Sequence, residues 1–341
     1  MYYYNKQNSK VNLSPEQFFD FRSKIKVQNL EVAPYHLKAL IKDNKLFLQV
    51  EGQKSDLFLI PTIFVRKIFR WFYTGTEMVN YLSTEAKEKI INDLLTEIDR
   101  RGQNYNNSRV NLRIENDYVY SILAHNYETV EDLKFYEAIK HFGITTVDYD
   151  PYITRFRTNV KLETEVKVGD LVGYSLHFTN SQTGFGALSR SVHVLRYICS
   201  NGAVTMEKGD TTLFYHNRGG FENFKSSLKD FEEEFNRIAP EFNKKLVKAN
   251  SIVYGAKLSP KVKSILSPAV SVYDLKEYMF QLGKCKTLWE VYDFLTTESK
   301  KLGVYECYLL QEAAGNIINK IVESEEINNE YGASGGYDLP F

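Results

Sequence analysis

The sequence predicts an α+β protein, in which an antiparallel meander sheet has helices segregated on one side of it. In residues 171–206, apolar and polar side chains alternate with the period of half-buried strands. Turn-forming residues interrupt this alternation at 180–184 and at 200–202, where Asn-Gly favours a hairpin. Helical periodicity of apolar residues is found before and after this stretch, so we expect the helices to pack around one sheet.

The two central strands of the meander each have two chemically different faces. On the second strand, Arg190 and Arg196 share a face with Val192, whereas His193 and Tyr197 lie on the other face. If the arginine face is open, it forms a basic and apolar platform of the kind that follows a phosphate backbone. If helices cover it, the arginines are expected to pair with glutamates. Three further arginines would extend an open surface: Arg113, Arg155 and Arg157.

The remaining elements follow from capping residues and periodicity. Ser14, Pro15 and Gln17 have the pattern of a helix start with a capping box. Residues 148–158 are expected to form a loop. Strands are predicted at 109–124, turning at Asn116 and Asp117, at 160–168 and at 210–216, and a hairpin at 36–51. Helices are predicted at 15–23, 84–101, 129–141, 271–282, 287–302 and 304–322, with a further apolar stripe from Phe224 that ends at Pro240.

That stripe repeats at heptad spacing, so two interpretations stay open. A helix lying on the sheet is favoured over a coiled-coil dimer. Residues 63–73 also allow two interpretations, since basic and aromatic residues are mixed there. They form either a helix with its aromatic residues in the core, or a nucleic-acid surface that uses Lys67, Arg70 and Trp71.

Length and composition restrict the class of protein. A chain of 341 residues with 43% hydrophobic and 14% aromatic residues is long enough and apolar enough for one large or two smaller folded domains. Three cysteines without paired spacing favour a reducing, cytoplasmic location. No signal peptide is visible, and the longest apolar run, 57–65, is too short to cross a bilayer.

Charge is distributed unevenly along a chain whose net charge is zero. No lysine or arginine follows Lys320, whereas five of the 43 acidic residues do. The first 320 residues therefore carry five excess positive charges and the tail carries five negative ones. A tail of Glu, Gly, Ser and Asn from residue 323 onward is expected to be disordered.

Five stretches of the chain share a resemblance: 113–115, 121–127, 178–181 with Gly184, 195–202 and 287–296. They resemble DUF932, a family of phage- and plasmid-encoded proteins of unknown function. The resemblance covers roughly residues 83–322 and implies a phage or plasmid setting, with no catalytic residues to carry over. It divides the chain into an N-terminal α/β segment at 1–82, a DUF932-like domain at 83–322 and an acidic tail at 323–341.

The last four residues, Asp338, Leu339, Pro340 and Phe341, resemble the tip of bacterial single-stranded-DNA-binding proteins. In that family the tip docks genome-maintenance enzymes. Here Phe341 would supply an apolar contact, Pro340 would limit the entropy lost on docking, and Asp338 would suit a basic rim. The resemblance implies replication or recombination proteins as partners. This chain departs from the family in having a single acid near its end.

No catalytic, metal or cofactor site is expected. His177, His193 and His216 do not have the spacing of a metal site. Ser189 and Ser191 near His193 lack a nucleophile elbow. Residues 184–186 lack the further glycine or lysine of a phosphate-binding loop.

The leading hypothesis is a non-enzymatic phage-type protein that binds or anneals single-stranded DNA and recruits enzymes through its tip. The residues expected to bind nucleic acid are Lys67, Arg70, Trp71, Arg113, Arg155, Arg157, Arg190, Arg196 and Tyr197. One alternative is a nucleic-acid- or nucleotide-processing enzyme with a deep pocket near His177 and His193. Another is a protein that binds a host factor or counters host defence. Whether the chain forms a homo-oligomer is left open.

Overall fold

A computed structural model describes residues 10–51, 57–71, 82–104, 109–167, 170–196, 203–206 and 212–332. The predicted α+β class is confirmed. The strands are β1 Lys10–Leu13, β2 Val27–Val32, β3 Leu37–Lys42, β4 Lys45–Val50, β5 Leu57–Leu59, β6 Val110–Glu115, β7 Tyr118–Ala124, β8 Ile144–Tyr149, β9 Thr154–Thr158, β10 Leu162–Lys167, β11 Asp170–Asn180, β12 Leu188–Arg196, β13 Ala203–Met206 and β14 Thr212–Phe214. The helices are α1 Pro15–Ser23, α2 Thr62–Trp71, α3 Thr84–Asn104, α4 Asp132–Ile139, α5 Gly220–Ser227, α6 Phe231–Ala249, α7 Ser259–Leu266, α8 Val272–Leu282, α9 Leu288–Ser299 and α10 Val304–Gly332.

The strands form two sheets. The larger sheet has the order β1-β8-β9-β11-β12-β13, with β10 also paired to β11 and β14 to β12, and all of its pairs are antiparallel. Its centre is the predicted meander of β11, β12 and β13. The smaller sheet has the order β2-β6-β7-β5-β4-β3, and its β5–β7 pair is parallel.

The apolar face of the larger sheet carries the main core. Phe178 on β11 is completely buried, and its ring centroid lies 5.0 Å from that of Phe142 and 5.6 Å from that of Phe231 on α6. Phe156 on β9 packs in the same way against Phe18 of α1 and Phe135 of α4. Helices α1, α4 and α6 therefore cover this face, and burial of large aromatic rings stabilises the packing.

The opposite face of the larger sheet is polar, yet it is also covered. Ser175, His177 and His193 on β11 and β12 are completely buried. Arg155 on β9 contacts Gln311 and Tyr308 of α10, which places that helix over this face. The expectation of helices on one side alone is corrected, because α10 packs against the face that alternation predicted to be solvated.

Local sequence signals place several turns and caps correctly. The Ser14 hydroxyl accepts a hydrogen bond from the Gln17 amide, and the Gln17 side chain returns one to Ser14, so the capping box is present. Asp43 and Asn44 both have positive φ in the turn between β3 and β4. Asn tolerates this backbone region better than most residues, so the hairpin forms where the sequence predicted it.

Other expectations differ from the structure. The stretch 148–158 is the β8–β9 hairpin instead of a loop. Helix α6 continues through Pro240 to Ala249, because Phe242 and Leu246 extend its buried stripe. Helix α7 was not predicted. Helix α10 continues to Gly332, ten residues beyond its predicted end at residue 322, and residues 333–341 lie outside the description.

The predicted boundary at residues 82 and 83 does not separate two structural units. Strand β1 pairs with β8 of the larger sheet, and β2 pairs with β6 of the smaller one. Helices α2 and α3 share one buried cluster with β3, β4 and β6. The N-terminal segment is thus divided between both sheets, and the pairing partners lie at least 78 residues apart in sequence.

The buried aromatic contacts of β11 give a stability prediction. Replacing Phe178 by alanine removes a completely buried ring, and we expect the free energy of unfolding to fall by about 3–5 kcal/mol. Leu133→Ala, at an exposed position of α4, should change it by less than about 0.5 kcal/mol. Urea unfolding followed by tryptophan fluorescence measures both. Equal effects of the two substitutions would contradict the placement of Phe178.

Candidate nucleic-acid interface

Arg190, one of the two arginines expected to form an open platform on β12, is 7% exposed. Its Nε donates a hydrogen bond to Ser227 Oγ at 3.0 Å, and its Nη1 pairs with the Glu234 carboxylate. Its guanidinium carbon lies 4.4 Å from the centroid of the Phe231 ring. Helices α5 and α6 therefore enclose this arginine and supply its counter-charge.

Arg113 on β6 is completely buried at the junction of the two sheets. Its two terminal nitrogens donate to the Glu131 carboxylate at 2.6 and 3.1 Å, in the bidentate geometry that guanidinium groups favour. It also donates to Gln182 and to Asn29. Both terminal nitrogens are thus used by protein partners, and the completely buried guanidinium is not accessible to a phosphate group.

Arg155 and Arg157 on β9 lie on the polar face of the larger sheet. Arg157 pairs with Asp148 of β8, with Nε and Oδ2 separated by 3.0 Å, and it also donates to Asn12. Arg155 is 3% exposed and donates to Gln311 of α10 at 3.4 Å. Arg155 therefore joins the sheet to α10, whereas Arg157 connects β9 to β8 and β1 within the same sheet.

Lys67 on α2 is also buried. Its ammonium donates to the Gly184 carbonyl and lies 5.2 Å from the centroid of the Phe185 ring. Gly184 has a φ of +71°, and a Cβ there would lie 2.6 Å from Lys67 Nζ, so a side chain is excluded for steric and conformational reasons. Arg70 and Trp71 belong to α2 and Arg196 ends β12, but their side chains are outside the description.

The expected open cationic surface is therefore corrected for the side chains that the structure describes. Arg155 and Arg190 are buried with protein partners because helices cover both faces of the larger sheet, and Arg113 is buried where the two sheets meet. Tyr197 and the partner-binding residues Asp338, Leu339, Pro340 and Phe341 lie outside the described residues, so they stay predictions.

His177 and His193 form a stacked pair inside the polar face. Their ring centroids are 3.3 Å apart, and each Nε2 lies 2.9 Å from a serine hydroxyl, that of Ser175 or Ser191. Burial, and secondarily nearby positive charge, lowers the pKa of both imidazoles well below the usual value. Both rings are completely buried, which counts against the alternative of an enzyme with an open pocket at this pair.

A different basic surface emerges from the last third of the chain. Between residues 244 and 286 the sequence has nine lysines and only two acidic residues, Asp274 and Glu277. Seven of the lysines are exposed in the structure. We call residues 244–286 the lysine-rich segment; it covers the end of α6, all of α7 and α8, and the loop before α9. Its lysines are Lys244, Lys245, Lys248, Lys257, Lys261, Lys263, Lys276, Lys284 and Lys286.

An exposed aromatic ring lies within this segment. Phe280, near the end of α8, is 67% exposed, and the Lys284 ammonium lies 5.0 Å from its ring centroid. Lys286 follows two residues later, where its carbonyl accepts a hydrogen bond from the Tyr254 amide. The neighbouring Val253 is 77% exposed. An exposed ring beside the Lys284 ammonium combines a stacking surface with charge for a phosphate backbone.

The acidic end of α10 lies against the same segment. Lys245 Nζ is 2.7 Å from Glu323 Oε1, and it also donates to Asn319 at 2.8 Å. Lys261 donates to Ser324 at 3.3 Å. The start of the negatively charged stretch thus contacts two helices of the lysine-rich segment.

A cavity of about 390 Å³ opens beside α8 of the lysine-rich segment, between parts of the chain that are distant in sequence. Aromatic side chains form much of its wall, and Arg66 of α2 and Glu306 of α10 bring charge to it. Its principal lining residues are Arg66, Tyr152, Phe185, Tyr278, Tyr305 and Glu306.

No protein-family model matches the chain, and neither curated proteins nor solved structures yielded a match. The DUF932 resemblance accordingly stays an expectation from the sequence.

Among the helices of the described residues, none has the length and apolar character needed to cross a membrane. In the same part of the chain, His, Cys, Asp and Glu side chains nowhere converge in groups of three that would hold a metal ion.

Sequence reasoning missed both the lysine-rich segment and the cavity. The lysine-rich segment does have a signal in the sequence, because net charge summed over a sliding window shows the excess of lysine after residue 243. The exposure of Phe280 has no such signal, because an aromatic residue in an amphipathic helix is ordinarily expected in the core. The cavity has none either, because its lining comes from five separate segments.

The buried histidine pair predicts a pH dependence of stability. The lowered folded-state pKa means that unfolded chains take up protons below pH 6.5 while the folded protein does not, so stability falls as the pH falls. His193→Gln keeps a hydrogen-bonding side chain and removes one titrating group. Between pH 7.5 and 5.5, we expect this variant to lose about 1 kcal/mol less stability than the parent.

Urea titrations at the two pH values give the comparison. His125→Gln, which removes an imidazole that is half exposed, is the matched control and should lose as much stability as the parent. An unchanged pH dependence in His193→Gln would mean that the pair titrates normally.

Proposed function

We propose that the protein binds single-stranded nucleic acid, with single-stranded DNA as its ligand, through the lysine-rich segment. The observation that carries this proposal is the exposed Phe280 ring with Lys284 against it, inside a segment with nine lysines and two acids. Lysine ammonium groups neutralise phosphates, and an exposed ring stacks on any base. The interface therefore differs from the arginine platform that the sequence suggested.

The exposed aromatic ring favours single strands over duplex. A ring can stack on a base only if the face of that base is accessible, and in a duplex each base face is covered by its neighbours. Lysines spread over α6, α7 and α8 supply charge without the fixed geometry needed to read base edges. We therefore expect the affinity to depend strongly on salt concentration and only weakly on base sequence.

The DUF932 resemblance supports a phage or plasmid setting, in which the protein would act as a binding or annealing factor. The resemblance of residues 338–341 to the tip of single-stranded-DNA-binding proteins supports recruitment of replication or recombination enzymes to the bound strand. This chemistry suits a protein that coats or pairs strands and acts without a catalytic step of its own.

The proposal predicts the effect of removing the ring. Phe280→Ala should weaken binding of a fluorescein-labelled poly-dT oligonucleotide about tenfold, because stacking on one base is lost. Tyr35→Ala is the matched control, since Tyr35 is 61% exposed on the N-terminal part of the chain, and it should leave the affinity unchanged. Fluorescence anisotropy measures both. An unchanged affinity in Phe280→Ala would remove Phe280 from the interface.

Removing two lysines tests the electrostatic part. Lys284→Gln combined with Lys286→Gln should make the slope of log affinity against log salt less steep by about 1.4, roughly 0.7 for each lost phosphate contact. Lys42→Gln combined with Lys45→Gln removes the same charge from exposed ends of the β3–β4 hairpin and should not change the slope. Double-stranded DNA and single-stranded RNA in parallel titrations establish the preferred ligand. The absence of single-strand binding at low salt would contradict the proposal.

The contact between α10 and the lysine-rich segment gives a further expected outcome. Glu323→Gln, Glu325→Gln and Glu326→Gln together remove negative charge that competes with the phosphate backbone for Lys245 and Lys261. We expect the affinity for poly-dT to rise roughly threefold or more at low salt and the gain to shrink at high salt. Asp43→Asn, Glu51→Gln and Glu85→Gln, at exposed positions elsewhere, are the control. An equal gain in the control would show that only net charge matters.

A further inference from the structure

The cavity beside Glu306 has a size and a wall suited to a small planar molecule. Its volume of about 390 Å³ lies within the range of small-molecule sites. Tyr152 and Tyr305 are stacked there, with ring centroids 5.0 Å apart and planes inclined by 11°. Phe185 meets Tyr152 edge-on, with a centroid distance of 4.8 Å and an angle of 72°. Such rings offer faces and edges to an aromatic ligand.

Two groups of opposite charge lie side by side at this cavity. Arg66 Nη1 is 3.9 Å from Glu306 Oε1 and donates to the Tyr152 hydroxyl at 3.3 Å. The Glu306 side chain is 16% exposed, and both of its carboxylate oxygens lack a hydrogen-bond partner. A buried carboxylate without donors is costly, so a ligand that supplies donors would gain free energy.

The pairing of charges restricts the class of ligand. An organic cation would be repelled by Arg66, and an anion would be repelled by Glu306 and by Asp274, the second acidic residue in the wall. A neutral ring with acceptors beside donors satisfies both groups. Guanine has this arrangement: O6 and N7 accept from an arginine, and the adjacent N1–H and exocyclic N2–H donate to a carboxylate. Adenine has neither the O6 acceptor nor the N1–H donor.

We propose that this cavity binds a guanine base, held between its aromatic side chains, with Glu306 accepting hydrogen bonds from N1–H and N2–H and Arg66 donating to O6 and N7. Burial, together with repulsion from Asp150, raises the pKa of Glu306 to about 7, whereas Arg66 opposes the shift. The carboxylate is therefore ionised and able to accept two hydrogen bonds at pH 8. This inference does not depend on the lysine-rich segment.

The experiment is isothermal titration calorimetry at pH 8 on the full chain with guanosine, inosine and adenosine. We expect guanosine to bind, adenosine to bind at least about tenfold more weakly, and inosine, which lacks the N2 amino group, to lie between them. Glu306→Gln presents a single acceptor and should weaken guanosine binding about tenfold. Its thermal midpoint should not fall, because the substitution removes a buried carboxylate that has no hydrogen-bond donor.

A second arm distinguishes the source of the base. Anisotropy titrations compare poly-dT with the same oligonucleotide carrying one dG, in the parent and in Glu306→Gln. If the parent prefers the dG-containing strand and Glu306→Gln does not, the cavity binds a base within a strand. If the parent binds guanosine but shows no preference for the dG-containing strand, the cavity binds a free nucleoside. Guanosine binding without any oligonucleotide binding would contradict the proposed function and leave this inference standing. Equal binding of adenosine and guanosine, absence of guanine recognition in both arms, or an unaffected Glu306→Gln would overturn it.

Discussion

The structure depends on a buried ionic network where the two sheets meet. Arg22 of α1 makes a bidentate pair with Glu115 of the smaller sheet, at 3.0 and 3.1 Å, and also donates to Tyr149 of the larger sheet at 2.9 Å. Arg113 lies against the same glutamate, with Nη2 3.5 Å from Oε1. Although burial acts to raise the pKa of Glu115, the two arginines outweigh it and lower that pKa. Removal of the Glu115 charge would take a shared counter-charge from two buried guanidinium groups, so the network couples the packing of the two sheets.

The use of arginine in this buried network explains which cationic side chains are available for function. A guanidinium group suits buried, bidentate pairing, and Arg22 and Arg113 are used in this way, whereas buried Arg190 pairs with Glu234 through Nη1 and donates from Nε to Ser227. Ammonium groups are more strongly hydrated and remain at the surface, which is where most of the lysines of residues 244–286 lie. Inside this protein, arginine therefore holds the fold together, and the proposed contacts with nucleic acid belong to lysine. The carboxyl group of Asp132 shows the cost of such burial, since desolvation raises its pKa to about 6 despite the nearby Arg22.

Local patterns allowed much of the fold to be predicted from the sequence, and long-range pairing accounts for most of what was missed. The meander, the Asp43–Asn44 turn and the Ser14 cap depend on neighbours in sequence, so propensity and alternation were sufficient for them. The division of the N-terminal segment between two sheets depends on pairs such as Val27 with Glu115, which no local signal specifies. The arginine face of β12 was identified correctly, but its burial under α6 could not be inferred, because alternation does not show which face another element covers. For the same reason, the sequence placed the candidate interface on buried residues.

The most direct measurement is hydrogen–deuterium exchange of the full chain with and without a saturating poly-dT oligonucleotide. If the lysine-rich segment binds the strand, peptides that cover α7, α8 and the loop before α9 become protected, and peptides from β11 and β12 exchange as slowly as before. Protection confined to β11 and β12, or to the α2 region around Lys67, would contradict the assignment of the interface. Absence of protection anywhere, under conditions where the oligonucleotide is in large excess at low salt, would contradict nucleic-acid binding itself.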